Sequence, residues 1–364
     1  TKKSRRLMKK TIKVMAACFM ALLVLASCGN KTKSEDNKKS EKVELSGSGA
    51  SFPQPFYGVV FEQYGNTSGN EVAYGAVGSG AGLRNLKDKV VDFAGSDAFL
   101  TDKEMKEYEP VVHIPTCLGA IVLAYNIEGV GNLILDGTTT ADIFRGKIRK
   151  WNDPALAALN PDVTLPDMDI TPVYRSDGSG STSVFTAYLN EVSEAWKAEI
   201  GAGKTVNFPA GMAAKGNAGV AQVVAATKGS VGYIGSEYAF AQKINSAAMI
   251  NANGEKVTAD EKSISAAASG DFPADARVMI VNSKASGAFP IACLTWIIAY
   301  QEQAYDNRTE AQARGLVDML QYILSDEAQA ITTKVYYAPL PEKARQIARE
   351  NLKKIKYEGK TILQ

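Results

Sequence analysis

Arg175-Ser176-Asp177-Gly178-Ser179-Gly180-Ser181 closes one apolar β-type run, Thr171 to Arg175, and opens a helical one in which Val184, Phe185 and Tyr188 recur at helical spacing. A strand, a glycine-rich turn and a helix in that order form the unit of an α/β sheet, with the turn beyond the carboxyl end of the strand. Helix N-termini placed there expose unpaired N–H groups and a partial positive charge. The arrangement recurs at Gly49-Ala50-Ser51-Phe52-Pro53, at Gly78-Ser79-Gly80-Ala81-Gly82 and at Ser96-Asp97-Ala98. Taken singly, each is an ordinary turn. As a set, offering hydroxyls and main-chain N–H groups, they describe a pocket for one small tetrahedral anion.

Outward from these turns, short apolar strands alternate with helical stretches, which predicts an α/β fold. Lys42 to Ser48 reads as the first strand and Pro53 to Tyr64 as a helix, with Pro53 near N1, where its missing N–H costs nothing. Thr101-Asp102-Lys103-Glu104 has the spacing of a capping box. Val111 to Ile114 and Ala120 to Tyr125 read as β-type runs interrupted by Pro115 and Gly119, and Ile291 to Tyr300 as the strand that returns between lobes. Thr309 to Leu324 predicts an amphipathic helix with Leu316, Leu320 and Ile323 on one face.

The N-terminus reads as a targeting segment. Seven Lys and Arg and no Asp or Glu precede Cys28, and the apolar run Val14 to Ala26 has the length of a signal-peptide core rather than of a resident span. Leu25-Ala26-Ser27-Cys28 resembles a bacterial lipobox, which makes residues 1–27 the signal peptide and Cys28 the lipidated residue. Met8 has the position of a translational start. Gly29 to Glu44 is polar with no apolar period, so residues 28–42 are expected to be a lipidated cysteine and a disordered tether.

The remaining residues exceed the size at which a single core usually keeps growing, which predicts two lobes. Of 41 Lys and Arg, seven lie in the leader, leaving 34 against 39 Asp and Glu, a balance of −5. No basic patch suggests nucleic acid. An acidic chain must hold an anion with local dipoles rather than with its overall field. Cys117 and Cys293, both in apolar segments, are read as either a disulfide or two buried thiols.

Two side chains set the chemistry. Arg175 offers a planar fork to two oxygens of an anion, and Asp177, two residues on in extended chain, shares its face and holds the guanidinium. Asp97 repels an anion unless the anion carries a proton to donate. Hydrogen phosphate does; sulfate does not. A lone pair facing a lone pair in a buried site costs about 1–3 kcal/mol, and tenfold selectivity needs only about 1.4. Receptors for sulfate or molybdate are therefore weaker readings. A secreted phosphatase is weaker still, because His113 is the only histidine and no zinc-ligand spacing or P-loop occurs.

The chain resembles the substrate-binding protein of the bacterial high-affinity phosphate ABC transporter. The resemblance is carried by Leu45 to Pro53, Val91 to Asp97, Gly146-Lys147-Ile148 with Trp151-Asn152-Asp153, and Arg175 to Gly180. Lys215-Gly216-Asn217, Gly229 to Ile234 and Tyr337 to Pro341 support it. It implies a two-lobed type II periplasmic-binding-protein fold with a hinge of crossing strands, closing on inorganic phosphate. Lobe one would comprise 43–118 and 288–364, and lobe two 119–287. The family's ligand contacts fall on Ser51, Phe52, Ser79, Asp97, Arg175, Ser179, Gly180 and Ser181, with Asp177 supporting the arginine. Ser51 and Ser181 stand where threonine is usual. The resemblance also implies an ABC permease and its ATPase as partners, a lipid anchor in the bacterial envelope facing the periplasm or exterior, a monomer, no catalysis, no metal and no cofactor.

Overall fold

The structure, a computed structural model, describes residues 42–363. The expected signal peptide, Cys28 and most of the expected tether lie outside the described residues.

An eight-stranded sheet organises the chain. Its strands are β1 (Glu44–Gly49), β2 (Glu71–Ala76), β3 (Phe93–Ser96), β4 (Val111–Tyr125), β5 (Thr171–Arg175), β6 (Met212–Ala214), β7 (Ser230–Gly235) and β8 (Ala292–Tyr300). They lie in the order β2-β1-β3-β8-β4-β7-β5-β6. Three parallel strands at one end and three at the other flank the antiparallel pair β8 and β4. Helices α1 (Gln54–Ser68), α2 (Ser79–Lys87) and α3 (Asp102–Met105) belong to the first half. Helices α4 (Gly180–Val192), α5 (Gly216–Ala226) and α6 (Ser236–Gln242) belong to the second. The amphipathic helix α7 (Glu310–Ile323) packs Leu316, Leu320 and Ile323 fully into the core, as its spacing predicts.

The interrupted runs of the sequence form one strand. β4 continues unbroken from Val111 to Tyr125 and is buried at every position. Its first part pairs with β8 and its last five residues with β7, so it joins the two halves. Proline has no ladder N–H and is tolerated inside a sheet at a bulge. Here the β8 register slips between Thr295 and Trp296, where Pro115 faces Trp296 and Cys117 faces Thr295. Cys117 and Cys293 are both buried and free. His113, on the same strand, is buried and accepts the Leu100 N–H at Nε2, 3.1 Å away. Burial, then the Arg277 charge, pushes its pKa down to about 3, so it stays neutral.

Local signals act much as they read. Thr101 and Glu104 form the capping box of α3, and Asp153 caps the helix that starts at Pro154. Two details differ. β1 begins at Glu44, and Pro53 is the N-cap of α1 rather than its first helical residue, so the second residue, Pro55, takes the position tolerant of a missing N–H. Ser79 stands at the first residue of α2, inside what reads as a glycine turn. The helix lies directly on β1, and a Cβ on Gly82 would run into Gly49 Cα and the Ser48 carbonyl. Gly82→Ala is therefore expected to push the helix that carries Ser79 off the strand and to destabilise the fold by about 1–3 kcal/mol. An unchanged denaturant midpoint would show that the helix has room to spare.

Candidate functional site

Each site segment sits where a strand ends. Gly49 ends β1, Ser96 ends β3, Arg175 ends β5 and Gly235 ends β7. Three helices of eight residues or more begin beside them: α1 after Ser51-Phe52-Pro53, α2 at Ser79 and α4 at Gly180. Their N-terminal N–H groups and positive dipole ends meet between the halves. No Cβ fits at the point of closest approach. One on Gly180 would lie 2.5 Å from Ser79 Oγ and 2.7 Å from the Asp97 nitrogen.

Hydrogen bonds cross this junction. The Gly180 N–H donates to Ser79 Oγ at 3.1 Å, and the Asp97 N–H reaches the same oxygen at 3.4 Å. Ser51 Oγ accepts from the backbone and side-chain N–H groups of Asn217 at 3.0 and 3.1 Å. Asn217 also donates to Ser181 Oγ at 3.4 Å and accepts the Gly235 N–H at 3.1 Å. The Gly80 N–H is committed to the Gly178 carbonyl. The structure thus brings Ser51, Ser79, Asp97, Ser179, Gly180 and Ser181 into one buried cluster. Phe52 adjoins it, with its ring against Gly119 of β4 and its carbonyl accepting from Tyr337 at 2.5 Å. Ser179 caps α4 by accepting the Thr182 N–H, and its own N–H bonds the Lys204 carbonyl. That cap uses the Ser179 oxygen and not its hydroxyl proton.

Asp97 is 1% exposed and does not cap a helix. Thr295 Oγ1 donates to its Oδ1 at 2.8 Å, and Ser181 Oγ approaches its Oδ2 at 3.4 Å. Burial raises its pKa; Thr295, the Arg175 charge and Ser181 oppose this, and the balance stands at about 7. Arg175 is no surface ion pair, for its side chain is 1% exposed. Its Nε and Nη2 donate to the two Asp177 oxygens at 2.8 and 2.5 Å, a bidentate clamp. Burial alone would raise the Asp177 pKa, but the bonds and charge of Arg175, helped by the Gly216 N–H, hold it below the ordinary range. The Tyr233 hydroxyl accepts the Arg175 N–H at 3.1 Å and pairs with Thr182 at 2.7 Å, fixing the end of β5 against α4.

Four residues of this cluster carry no local sequence signal: Thr295, Asn217, Tyr238, whose hydroxyl donates to the Ser51 carbonyl at 2.6 Å, and the buried Glu237 beside it. Their partners lie up to 198 residues away. At the rim, Lys204 pairs with Glu104 at 2.6 Å, joining the halves a second time. Among the described residues no group of three or more His, Cys, Asp or Glu is placed to hold a metal ion, and no helix is long and apolar enough to cross a membrane.

Two α/β halves hung on crossing strands, with helix N-termini meeting between them, define a two-lobed binding-protein fold. A family model described as a PBP superfamily domain matches residues 32–327. The Phosphate-binding protein PstS of Xylella fastidiosa (strain 9a5c) is 35% identical over 318 residues, 86% of this chain and 86% of that protein. The Phosphate-binding protein PstS of Haemophilus influenzae is 36% identical over 305 residues, 82% of this chain and 89% of that one. The chain belongs to the PBP superfamily and, within it, to the PstS family of phosphate-binding proteins. A solved structure of a high-affinity periplasmic phosphate-binding protein (PfluDING), bound with phosphate at pH 8.5, shares the fold with a TM-score of 0.71 at 22% identity, over 84% of this chain and 93% of that one.

Thr295→Val removes the shortest hydrogen bond to the Asp97 carboxylate. The Asp97 pKa is expected to rise above its value of about 7, because a donor that favours the charged form is lost. Carboxyl carbon NMR across a pH titration reads it, and an unmoved midpoint would remove Thr295 from the balance.

Proposed function

We propose that the chain binds inorganic phosphate between its halves and delivers it to an ABC permease for import. The observation that carries this reading is Asp97, a buried carboxyl whose one oxygen is held by Thr295 while the other faces Ser181 among helix N-termini. A carboxylate of raised basicity in an anion site accepts a proton from its guest. Hydrogen phosphate supplies one, and a fully deprotonated oxyanion does not.

In this reading Ser51, Phe52, Ser79 and Asp97 contact phosphate from lobe one, residues 43–118 and 288–364. Arg175, Ser179, Gly180 and Ser181 contact it from lobe two, residues 119–287, with Asp177 holding the guanidinium. A ligand that bridges both lobes favours the closed form by differential contact. Cys28 anchors the protein through lipid in the bacterial envelope, facing the periplasm or exterior, and the closed monomer docks on the permease. In the same reading the protein turns over no substrate; its one histidine is buried, neutral and committed to the Leu100 N–H.

Asp97→Asn is expected to lower the preference for phosphate over sulfate by tenfold or more, about 1.4 kcal/mol, in competition calorimetry. Unchanged selectivity would reject the proton-reading role. Arg175→Ala is expected to weaken phosphate binding by about 10- to 100-fold, the loss of charge-assisted hydrogen bonds of roughly 1.5–3 kcal/mol. Near-native affinity by titration would take Arg175 out of the site.

A further inference from the structure

Glu237, in the first turn of α6, is 1% exposed, and neither carboxyl oxygen has a hydrogen-bond partner among the described residues. An unpartnered carboxylate in such a place is strongly disfavoured, whereas a neutral acid is far less so. The titratable groups around it are Asp97 after β3, Cys117 on β4, Cys293 on β8, Tyr238 on α6 and Tyr337 from the C-terminal segment. None of these is a cation. The single O–H of Tyr337 donates to the Phe52 carbonyl, so toward Glu237 this hydroxyl presents lone pairs, which a carboxylic acid can use and a carboxylate cannot.

The position couples this group to the anion site. The carboxyl folds back over Gly235, where a Cβ would collide with both of its oxygens. The Gly235 N–H is held by Asn217, which also binds Ser51 and Ser181. The next residue, Tyr238, reaches across to the Ser51 carbonyl. The carboxyl is therefore enclosed by both halves together, and parting them opens it to water.

We propose that Glu237 is a second proton-carrying group of the site, neutral when the halves are closed and ionised when they part, so that closure on phosphate takes up one proton there. This rests on the phosphate reading above. The inference goes beyond Asp97, which reads the proton of the guest; Glu237 carries a proton of the protein.

Burial raises the Glu237 pKa well above the ordinary carboxylate value; its own backbone N–H and Tyr337 oppose this and Asp97 adds to it, without reversing the direction. In the open form the value returns toward the ordinary one. Between the two values closure binds a proton. The contribution of Glu237 to affinity is then whole below the ordinary carboxylate pKa and shrinks up to tenfold per pH unit as pH rises toward the closed-state value.

The test is calorimetric titration of wild type and Glu237→Gln with inorganic phosphate, in two buffers of different ionisation enthalpy, at about pH 8, where ordinary carboxyls are ionised. Both proteins are expected to saturate. The wild type is expected to take up close to one proton more than the variant, and its log Kd to rise more steeply with pH, by up to one per unit. Equal proton counts and equal slopes overturn the inference while leaving the phosphate reading intact. A wild type that does not bind phosphate overturns both. If Glu237→Gln does not fold, infrared spectroscopy of phosphate-loaded Asp97→Asn protein at about pH 8 decides. A protonated-carboxyl C=O band supports the inference, and its absence ends it.

Discussion

Both halves of the sheet hang from β4, and the site inherits its geometry from that strand. β4 is buried along its whole length and gives its first part to β8 and its last to β7. A rigid shared strand lets each half keep its own core while their strand ends face a common gap. Tyr57 packs edge-on to Tyr74 on one side, and Phe185 stacks on Tyr233 on the other. Pro115 adds a local irregularity. The ladder slips beside Thr295, and Thr295 is the residue that holds Asp97. The backbone irregularity beside Pro115 thus lies next to a carboxylate whose protonation the proposed chemistry needs.

Charge is handled by local pairing. Residues 28–364 hold 34 Lys and Arg against 39 Asp and Glu, and the site's guanidinium is already matched by Asp177 at 2.5 and 2.8 Å. What remains to attract an anion is the positive end of each of the helices α1, α2 and α4, worth about half a positive charge, since the Gly80 and Gly180 N–H groups are already bonded across the junction. Such dipoles are fixed by the fold and need no reorganisation when a charge arrives. They also explain how the site tolerates Asp97: a carboxyl with a pKa of about 7 sits among donors, and its residual charge is shared with Thr295 and Ser181.

Much of this was legible in the sequence where the physics is local. The strand–turn–helix order around Arg175 to Ser181, the two-residue spacing of Arg175 and Asp177, and the capping box at Thr101 all depend on neighbours within a few residues, and all appear as read. The reading fails where distant chain decides. Pro115 and Gly119 look like strand breakers, yet the pairing of β4 with β8 and β7 absorbs both; Gly119 in fact receives the Phe52 ring. Thr295, Asn217, Tyr238 and Glu237 stand in ordinary apolar or helical contexts, and only the closed fold sets them beside Asp97 and Ser51. Asn217 lay within a stretch that carried the family resemblance, but its role as a three-way bridge required its partners, 166 residues away at Ser51 and 36 at Ser181.

The same bonds that assemble the site also join its halves, which constrains how tightly a ligand can be held. In the closed form Ser79 is bonded to Gly180, Ser51 to Asn217, Tyr238 to the Ser51 carbonyl and Lys204 to Glu104. Each neutral bond is worth about 0.5–1.5 kcal/mol net, because water replaces it on opening, and the half-exposed ion pair adds less than about 1. Several such bonds are needed to hold two lobes together, yet their sum must stay small enough for opening to remain accessible. A buried acid that has to take up a proton on closure, as Glu237 does in the proposal above, opposes them. It sets a cost on the closed form that rises with pH, leaving the ligand's own contacts to decide the balance. Closure is then governed by hydrogen bonding and protonation together, which is the behaviour expected of a site whose guest is itself a proton carrier.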